Sequence, residues 1–129
     1  MTHYQIEAAL DTPSIDLNPN TGVMEFSGKS FPSDVTAFYQ PVMDWLDEYK
    51  LTPCESTEVN LKLEYFNTAS SKILLEIFNK LEALYKEGNN VVINWYYPDD
   101  DEDMEQTGNE YSELIQVPFK KIGYSVVFN

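Results

Sequence analysis

Apolar residues recur along this chain with two different periods, one helical and one alternating, and the two take turns. Between Ser33 and Lys50, Val35, Phe38, Tyr39, Val42, Trp45, Leu46 and Tyr49 form a helical stripe. Pro41 lies inside it and removes one backbone donor, which predicts a kinked helix or one whose regular part begins at Pro41. Thr52-Pro53 ends the element. A second stripe, from about Ala69 to Glu87, carries Leu74, Ile77, Phe78, Leu81, Leu84 and Tyr85 on one face, with Gly88 as a left-handed cap. Its outer face holds the four-residue pairs Glu76 with Lys80 and Glu82 with Lys86. Between the two helices, Val59, Leu61, Leu63 and Tyr65 alternate with Asn60, Lys62 and Glu64. That strand has one dry face and one polar face, so part of the sheet is expected to be open on one side. Val91 to Tyr97 hardly alternates and reads as a central strand ended by Pro98.

The remaining segments are less regular. Residues 1–11 carry no strong pattern and are expected to form a flexible arm. Ile15 to Leu17 and Val23 to Phe26 flank Asn18-Pro19-Asn20-Thr21-Gly22, a run of turn formers that predicts a β-hairpin, and Gly28 marks a second break. The acidic stretch from Asp99 into Glu113 predicts a third helix, because early aspartates suit the positive end of the helix dipole. Met104, Tyr111 and Leu114 would face its core side, although Gly108 and Asn109 weaken the pattern. A last strand is expected around Gln116 to Phe119, followed by a tail through Val126-Val127-Phe128. The expected order, β-β-α-β-α-β-α-β, is that of a small single-domain α/β sandwich over residues 1–129, with a mixed sheet and about three helices. No repeat or linker divides it.

Length adds that such a domain buries roughly two-thirds of its unfolded surface, enough for a core without disulfides. Charge adds more. Twenty-two acids face eight bases, a formal charge of −14, and every base is a lysine. Such a surface repels nucleic-acid phosphates and anionic lipid, so neither nucleic acid nor membrane is an expected partner. It favours a partner with a basic surface, although acidity that serves solubility alone has the same appearance. Cys54 is the single cysteine, no apolar run approaches a membrane span, and the start lacks a basic segment followed by an apolar one. These features make the cytoplasm the expected compartment.

Enzyme constellations are missing. There is no GxxxxGK[ST], GxGxxG or GxSxG, and a catalytic dyad or triad would need His3, the single histidine, which falls in the expected arm. Paired carboxylates are too abundant to nominate any. From Asp99, oxygen-bearing residues fall at EF-hand positions (Asp99, Asp101, Asp103, Glu105, Thr107 and Glu110), but Met104 stands where the loop needs glycine. A helix start explains that run better than calcium. Trp95-Tyr96-Tyr97 is better explained as strand than as an aromatic platform. No metal and no cofactor is expected.

One junction stands apart. Tyr65-Phe66-Asn67-Thr68-Ala69-Ser70-Ser71-Lys72 joins the half-exposed strand to the second helix, with Asn67 or Thr68 as the N-cap. A helix start normally gathers acids, yet here the first charge is Lys72 and the first acid is Glu76. This N-terminus suits an anion, whether bound from solution or attached covalently to Thr68.

The chain resembles the SiaC-like regulatory phosphoproteins of bacteria, relatives in fold of the anti-sigma factor antagonists of STAS type. The resemblance spans roughly residues 11–125. It rests on Thr12-Pro13-Ser14-Ile15, on Phe31-Pro32 before a helix with Asp44-Trp45-Leu46, on Leu63-Glu64-Tyr65-Phe66-Asn67-Thr68-Ala69-Ser70-Ser71-Lys72, and on Val92-Ile93-Asn94-Trp95-Tyr96-Tyr97. It implies a non-enzymatic partner-switching regulator. Thr68 would be phosphorylated by a kinase of histidine-kinase-like fold and dephosphorylated by a metal-dependent phosphatase. The unphosphorylated form would bind and activate a diguanylate cyclase, linking the switch to biofilm behaviour. Asn67, Thr68, Ala69, Ser70, Ser71 and Lys72 would form the partner-contact patch. The competing reading is a constitutive acidic adaptor in which Thr68 is only a helix cap. The acidic stretch after Pro98 and the tail past Gly123 match nothing in the family pattern.

Overall fold

Three antiparallel strands open the fold. In the computed structural model, which describes residues 1–126, β1 (Tyr4–Ile6) pairs with β2 (Ser14–Leu17), and β2 pairs with β3 (Val23–Ser30) through the expected hairpin. The turn closes on Asn18, whose side-chain oxygen accepts from the backbone of Asn20 and Thr21. Gly22 takes φ 74°, and a Cβ there would stand 2.3 Å from the Ser56 carbonyl oxygen, so this position needs glycine on two counts.

Residues 1–11 are therefore not simply an arm. Strand β1 forms one edge of the sheet, and the residues before it are pinned: His3 Nε2 lies 2.6 Å from Asp16 Oδ1, and Trp45 Nε1 donates to the Thr2 carbonyl over 2.7 Å. The hydrogen bond from His3 is the main cause holding the Asp16 carboxyl below its ordinary range. Three residues are too few to show a period, and every one of these partners is remote in sequence. Gly28 likewise ends nothing, since β3 runs on to Ser30 through an irregularity between Gly28 and Lys29.

From β3 onward strands and helices alternate: α1 (Val35–Tyr49), β4 (Ser56–Phe66), α2 (Thr68–Lys86), β5 (Asn90–Pro98), α3 (Glu102–Leu114) and β6 (Phe119–Tyr124). Strands β3 to β6 are parallel neighbours, so the six-stranded mixed sheet follows chain order from β1 to β6. This is the expected α/β class and order with one strand added at the N-terminus. Right-handed crossovers between successive parallel neighbours put all three helices on one face and leave the other open. That explains why β4 alternates.

Helix α1 is continuous through Pro41 and is capped by Asp34, whose carboxylate accepts from the Ala37 N–H over 3.0 Å. The missing proline donor would have served the exposed Ala37 carbonyl, which water can reach, so the helix need not start at Pro41. The last strand begins later than expected. Ile115 and Val117 enter the core from the lead-in to β6. Of the expected tail, Val126 is exposed, and Val127 and Phe128 lie outside the described residues.

The helix-covered face holds one core, built from Ile15, Phe26, Tyr39, Leu61, Phe78 and Trp95 with their neighbours. On the open face Asn94 donates to Asn60 over 2.9 Å, and Lys62 pairs with Glu25 and stands 5.1 Å over the Tyr96 ring. Trp95 and Tyr96 thus point to opposite sides of the sheet, so the aromatic run forms no common platform.

Candidate functional site

The strand-to-helix corner is built by backbone and side chain together. Ser30 of β3 and Phe66 of β4 are partners at the ends of their strands, and the next residue, Asn67, gives its N–H to the Ser30 carbonyl over 3.1 Å. Asn67 remains extended (φ −86°, ψ 176°), while its Oδ1 accepts from the Ser70 N–H and its carbonyl from the Ser71 N–H, each over 2.9 Å. Asn67 is the N-cap and Thr68 is the first helical residue. This corrects the cap assignment in the adaptor reading: the chain leaves extended conformation at Asn67, so capping falls to the amide and not to the threonine.

Thr68 and Ala69 are exposed, and the Thr68 hydroxyl has no hydrogen-bond partner among the described residues. The first turn of α2 holds no acid, and Lys72, one turn on, is exposed and in no ion pair among the described residues.

Ser70 does not share this surface. Two residues along a helix turn the side chain by roughly 200°, which carries Ser70 to the core side, where it is fully buried. Its Oγ lies 2.8 Å from Ser30 Oγ, which in turn lies 2.7 Å from Tyr39 Oη. Ser71 is partly exposed. Its hydroxyl donates to the Thr68 carbonyl over 2.6 Å, and its own carbonyl accepts from Tyr111 Oη over 2.7 Å. The corner is thus held from α1 and β3 on one side and from α3 on the other. The surface left for contact consists of Asn67, Thr68, Ala69, Ser71 and Lys72.

Burial pushes the Tyr39 phenol up to about 12, against a smaller opposing effect from the hydrogen bond with Ser30. Burial likewise pushes Tyr111 up to about 12. Both phenols are therefore neutral hydroxyls at ordinary pH and serve as hydrogen-bonding pegs, not as proton donors or bases.

Thr68 sits on the rim of a cleft of about 400 Å³ between α2 and α3. Phe66, Leu75, Tyr111 and Leu114 supply its apolar lining, and Thr107 and Glu110 its far wall. The contribution of α3 was not legible in the sequence. Tyr111 is 40 positions from Ser71, and Leu114, expected to face the core, is 63% exposed. The EF-hand spacing dissolves here as well: Asp101 caps α3 by accepting from Met104 N, and everything from Glu102 on is wound into helix instead of wrapping a loop. Among the described residues, no group of three or more His, Cys, Asp or Glu side chains is placed to hold a metal ion.

Comparison with known proteins bears on the fold and the family. The family model of the SiaC family regulatory phosphoproteins matches residues 6–124. A Pseudomonas aeruginosa (strain UCBPP-PA14) protein of uncharacterized function is 27% identical over 119 residues, covering 92% of this chain and 94% of the relative. The crystal structure of apo-SiaC from Pseudomonas aeruginosa superposes with a TM-score of 0.88 at 26% identity, over 95% of this chain and 100% of that one. A chain of the crystal structure of the diguanylate cyclase SiaD in complex with its activator SiaC, from the same organism, gives 0.90 at 26% identity, over 94% and 99%. The family match over residues 6–124 shows that this chain belongs to the SiaC family of regulatory phosphoproteins, which regulate and are not themselves enzymes.

Proposed function

We propose that this protein is a cytoplasmic signalling regulator switched by reversible phosphorylation of Thr68. A kinase of histidine-kinase-like fold adds the phosphate, a metal-dependent phosphatase removes it, and the unphosphorylated form binds a downstream target such as a diguanylate cyclase. The observation that carries this reading is the first turn of α2: an exposed threonine whose hydroxyl is not used for capping, in a turn without acids.

The chemistry follows from charge. A phosphate adds about −1.5 to −2 charge at a point where backbone N–H groups and the positive helix end favour it. The modified protein therefore needs no refolding. The partner, however, meets a different surface. A target that covers the corner would have to desolvate the phosphate without a matching cation, and that costs several kcal/mol. Partner exchange results from this difference alone. The complex of SiaD with its activator SiaC supports a diguanylate cyclase as the class of target.

The test is incubation with the cognate kinase and ATP, followed by intact mass measurement and peptide mapping. One phosphate on Thr68 is expected, and a phosphate mapped elsewhere overturns the site. For the target, Thr68→Asp should abolish cyclase binding while Thr68→Ala retains it. Equal behaviour of the two variants returns the protein to a constitutive adaptor.

A further inference from the structure

The alternation of β4 breaks just before Thr68. Across the parallel ladder Gly28 faces Leu63 and Lys29 faces Tyr65, so Glu64 is left over as a bulge. Leu63 is buried, and Phe66 stands 6.0 Å edge-on from the core ring of Trp95, so both lie on the helix-covered side. The two residues between them, Glu64 and Tyr65, therefore both turn to the open face. With strict alternation Tyr65 would follow Val59, Leu61 and Leu63 inward. The bulge instead leaves 51% of it in water.

Tyr65 is not alone there. Ser30 faces the core, so the next residue, Phe31, points the other way, and its ring meets that of Tyr65 edge-on at 5.8 Å. Phe31 is itself 36% exposed. Its N–H donates to the Asp11 carbonyl over 2.8 Å, which brings the loop with Leu10, 87% exposed, to the same end of the sheet. That is the end at which Asn67 binds the Ser30 carbonyl and Thr68 begins α2. Single exposed apolar residues are ordinary, but an aromatic pair turned into water by a bulge does little for the core. Bulges that re-aim a side chain are over-represented beside functional sites.

The immediate neighbours of Thr68 on the surface, Ala69, Ser71 and Lys72, offer a partner no aromatic anchor. A phosphatase needs none, because the phosphate is itself a charged handle for a metal centre. A kinase has to recognise a neutral hydroxyl, so its binding energy must come from contacts remote from the reacting oxygen. Tyrosine is among the residues that most often supply such energy. We infer that Phe31 and Tyr65, with Leu10 at the rim, are the docking anchor of the kinase that modifies Thr68. The inference rests on the proposed function and adds the surface by which that enzyme holds its substrate. A kinase seated on the two rings spans the short segment from Tyr65 to Thr68 and keeps its ATP within reach of the hydroxyl. The bond from the γ-phosphorus to the β-phosphate oxygen then breaks, a bond to Thr68 Oγ1 forms, and ADP and a proton leave.

Steady-state phosphorylation of the full chain by the cognate kinase and ATP tests this. Tyr65→Ser, at a position half in water, should keep the wild-type unfolding temperature and lower kcat/KM at least about tenfold, mainly through KM. Phe31→Ala should act in the same direction, and Tyr65→Phe, which keeps the ring, should recover most of the lost rate. Leu51→Ser removes another exposed apolar side chain, beyond the C-terminal end of α1, and should be phosphorylated like wild type. If Tyr65→Ser and Phe31→Ala are phosphorylated as fast as wild type, the anchor is overturned and the proposed function stands. If the wild-type protein takes no phosphate on Thr68, the proposed function and the anchor fall together. A loss of dephosphorylation or of cyclase binding as large as the loss of phosphorylation would make the ring pair an anchor for every partner and overturn its assignment to the kinase.

Discussion

Ser70 Oγ lies 2.8 Å from Ser30 Oγ, although the two serines are 40 positions apart. Ser30 is the hub of a buried hydroxyl chain, because its oxygen also meets Tyr39 Oη at 2.7 Å. Through it the end of β3 and the middle of α1 grip the first turn of α2 from beneath, on the side opposite Thr68. The exposed threonine thus has a fixed mount without contributing any bond from its own side chain.

A hub and an end of this chain should differ on removal. Ser30→Ala leaves the hydroxyls of Ser70 and Tyr39 buried without their shared partner, at a cost of about 2–4 kcal/mol. Ser70→Ala keeps the Ser30–Tyr39 bond and should cost about 1 kcal/mol. Urea unfolding measures both. A larger loss for Ser70→Ala than for Ser30→Ala would contradict the hub assignment.

Capping and switching are separable at neighbouring residues. Asn67→Ala removes the acceptor of the Ser70 N–H and should destabilise the protein by about 1 kcal/mol. Thr68→Ala should leave stability within about 0.5 kcal/mol of wild type. Paired thermal melts check this, and a Thr68→Ala loss equal to that of Asn67→Ala would show a structural role for the Thr68 hydroxyl.

Gly108 is needed by a tryptophan and not by a turn. A Cβ at this position would stand 2.6 Å from Trp95 Cδ1, and the Trp95 indole donates to the Met104 carbonyl one turn earlier in the same helix. Although alanine favours helix, Gly108→Ala should destabilise the protein by about 1–3 kcal/mol through overpacking. An increase in unfolding temperature would show that α3 can move away from the sheet freely.

The buried phenol of Tyr39 sets an alkaline limit. Its folded pKa, about 12, exceeds the ordinary 10.0, so the phenol is protonated in both states below pH 10 and its contribution is fully present there. As the pH rises from 10 toward 12, the unfolded chain loses this proton first, and stability falls by about 1.4 kcal/mol per pH unit. Tyr111 is raised in the same way and adds a second such slope, so in melting curves between pH 9 and 11.5 Tyr39→Phe should reduce the alkaline loss by about 1.4 kcal/mol per pH unit without abolishing it. An unchanged slope would assign the alkaline loss to other groups.

The two long helices and the β4 strand were legible because each carries its period within a dozen or more residues, and burial of one face imposes that period on a local stretch of chain. The oddity at Thr68 was legible for a similar reason, since the lack of acids in the first turn is written in consecutive residues. The short edge strand β1 was not legible, because three residues show no period and its pairing partners, Ile15, Asp16 and Leu17, lie across the sheet on β2. Nor was the orientation of Ser70. A strand-helix junction can place the first turn at several rotations, and only docking on Ser30 and Tyr39 selects one.

The sequence by itself determined the class of fold, the alternation of elements after β3, and an acid-free helix start bearing a threonine. Each of these depends on neighbours along the chain. Only the tertiary structure decided that Asn67 caps and Thr68 is free, that Ser70 faces inward, and that α3 brings Tyr111, Glu110 and Leu114 beside the corner. The groove those residues form with α2 depends on contacts across some 40 positions. No local pattern encodes such a distance, because it is set by how the helices pack on a shared sheet.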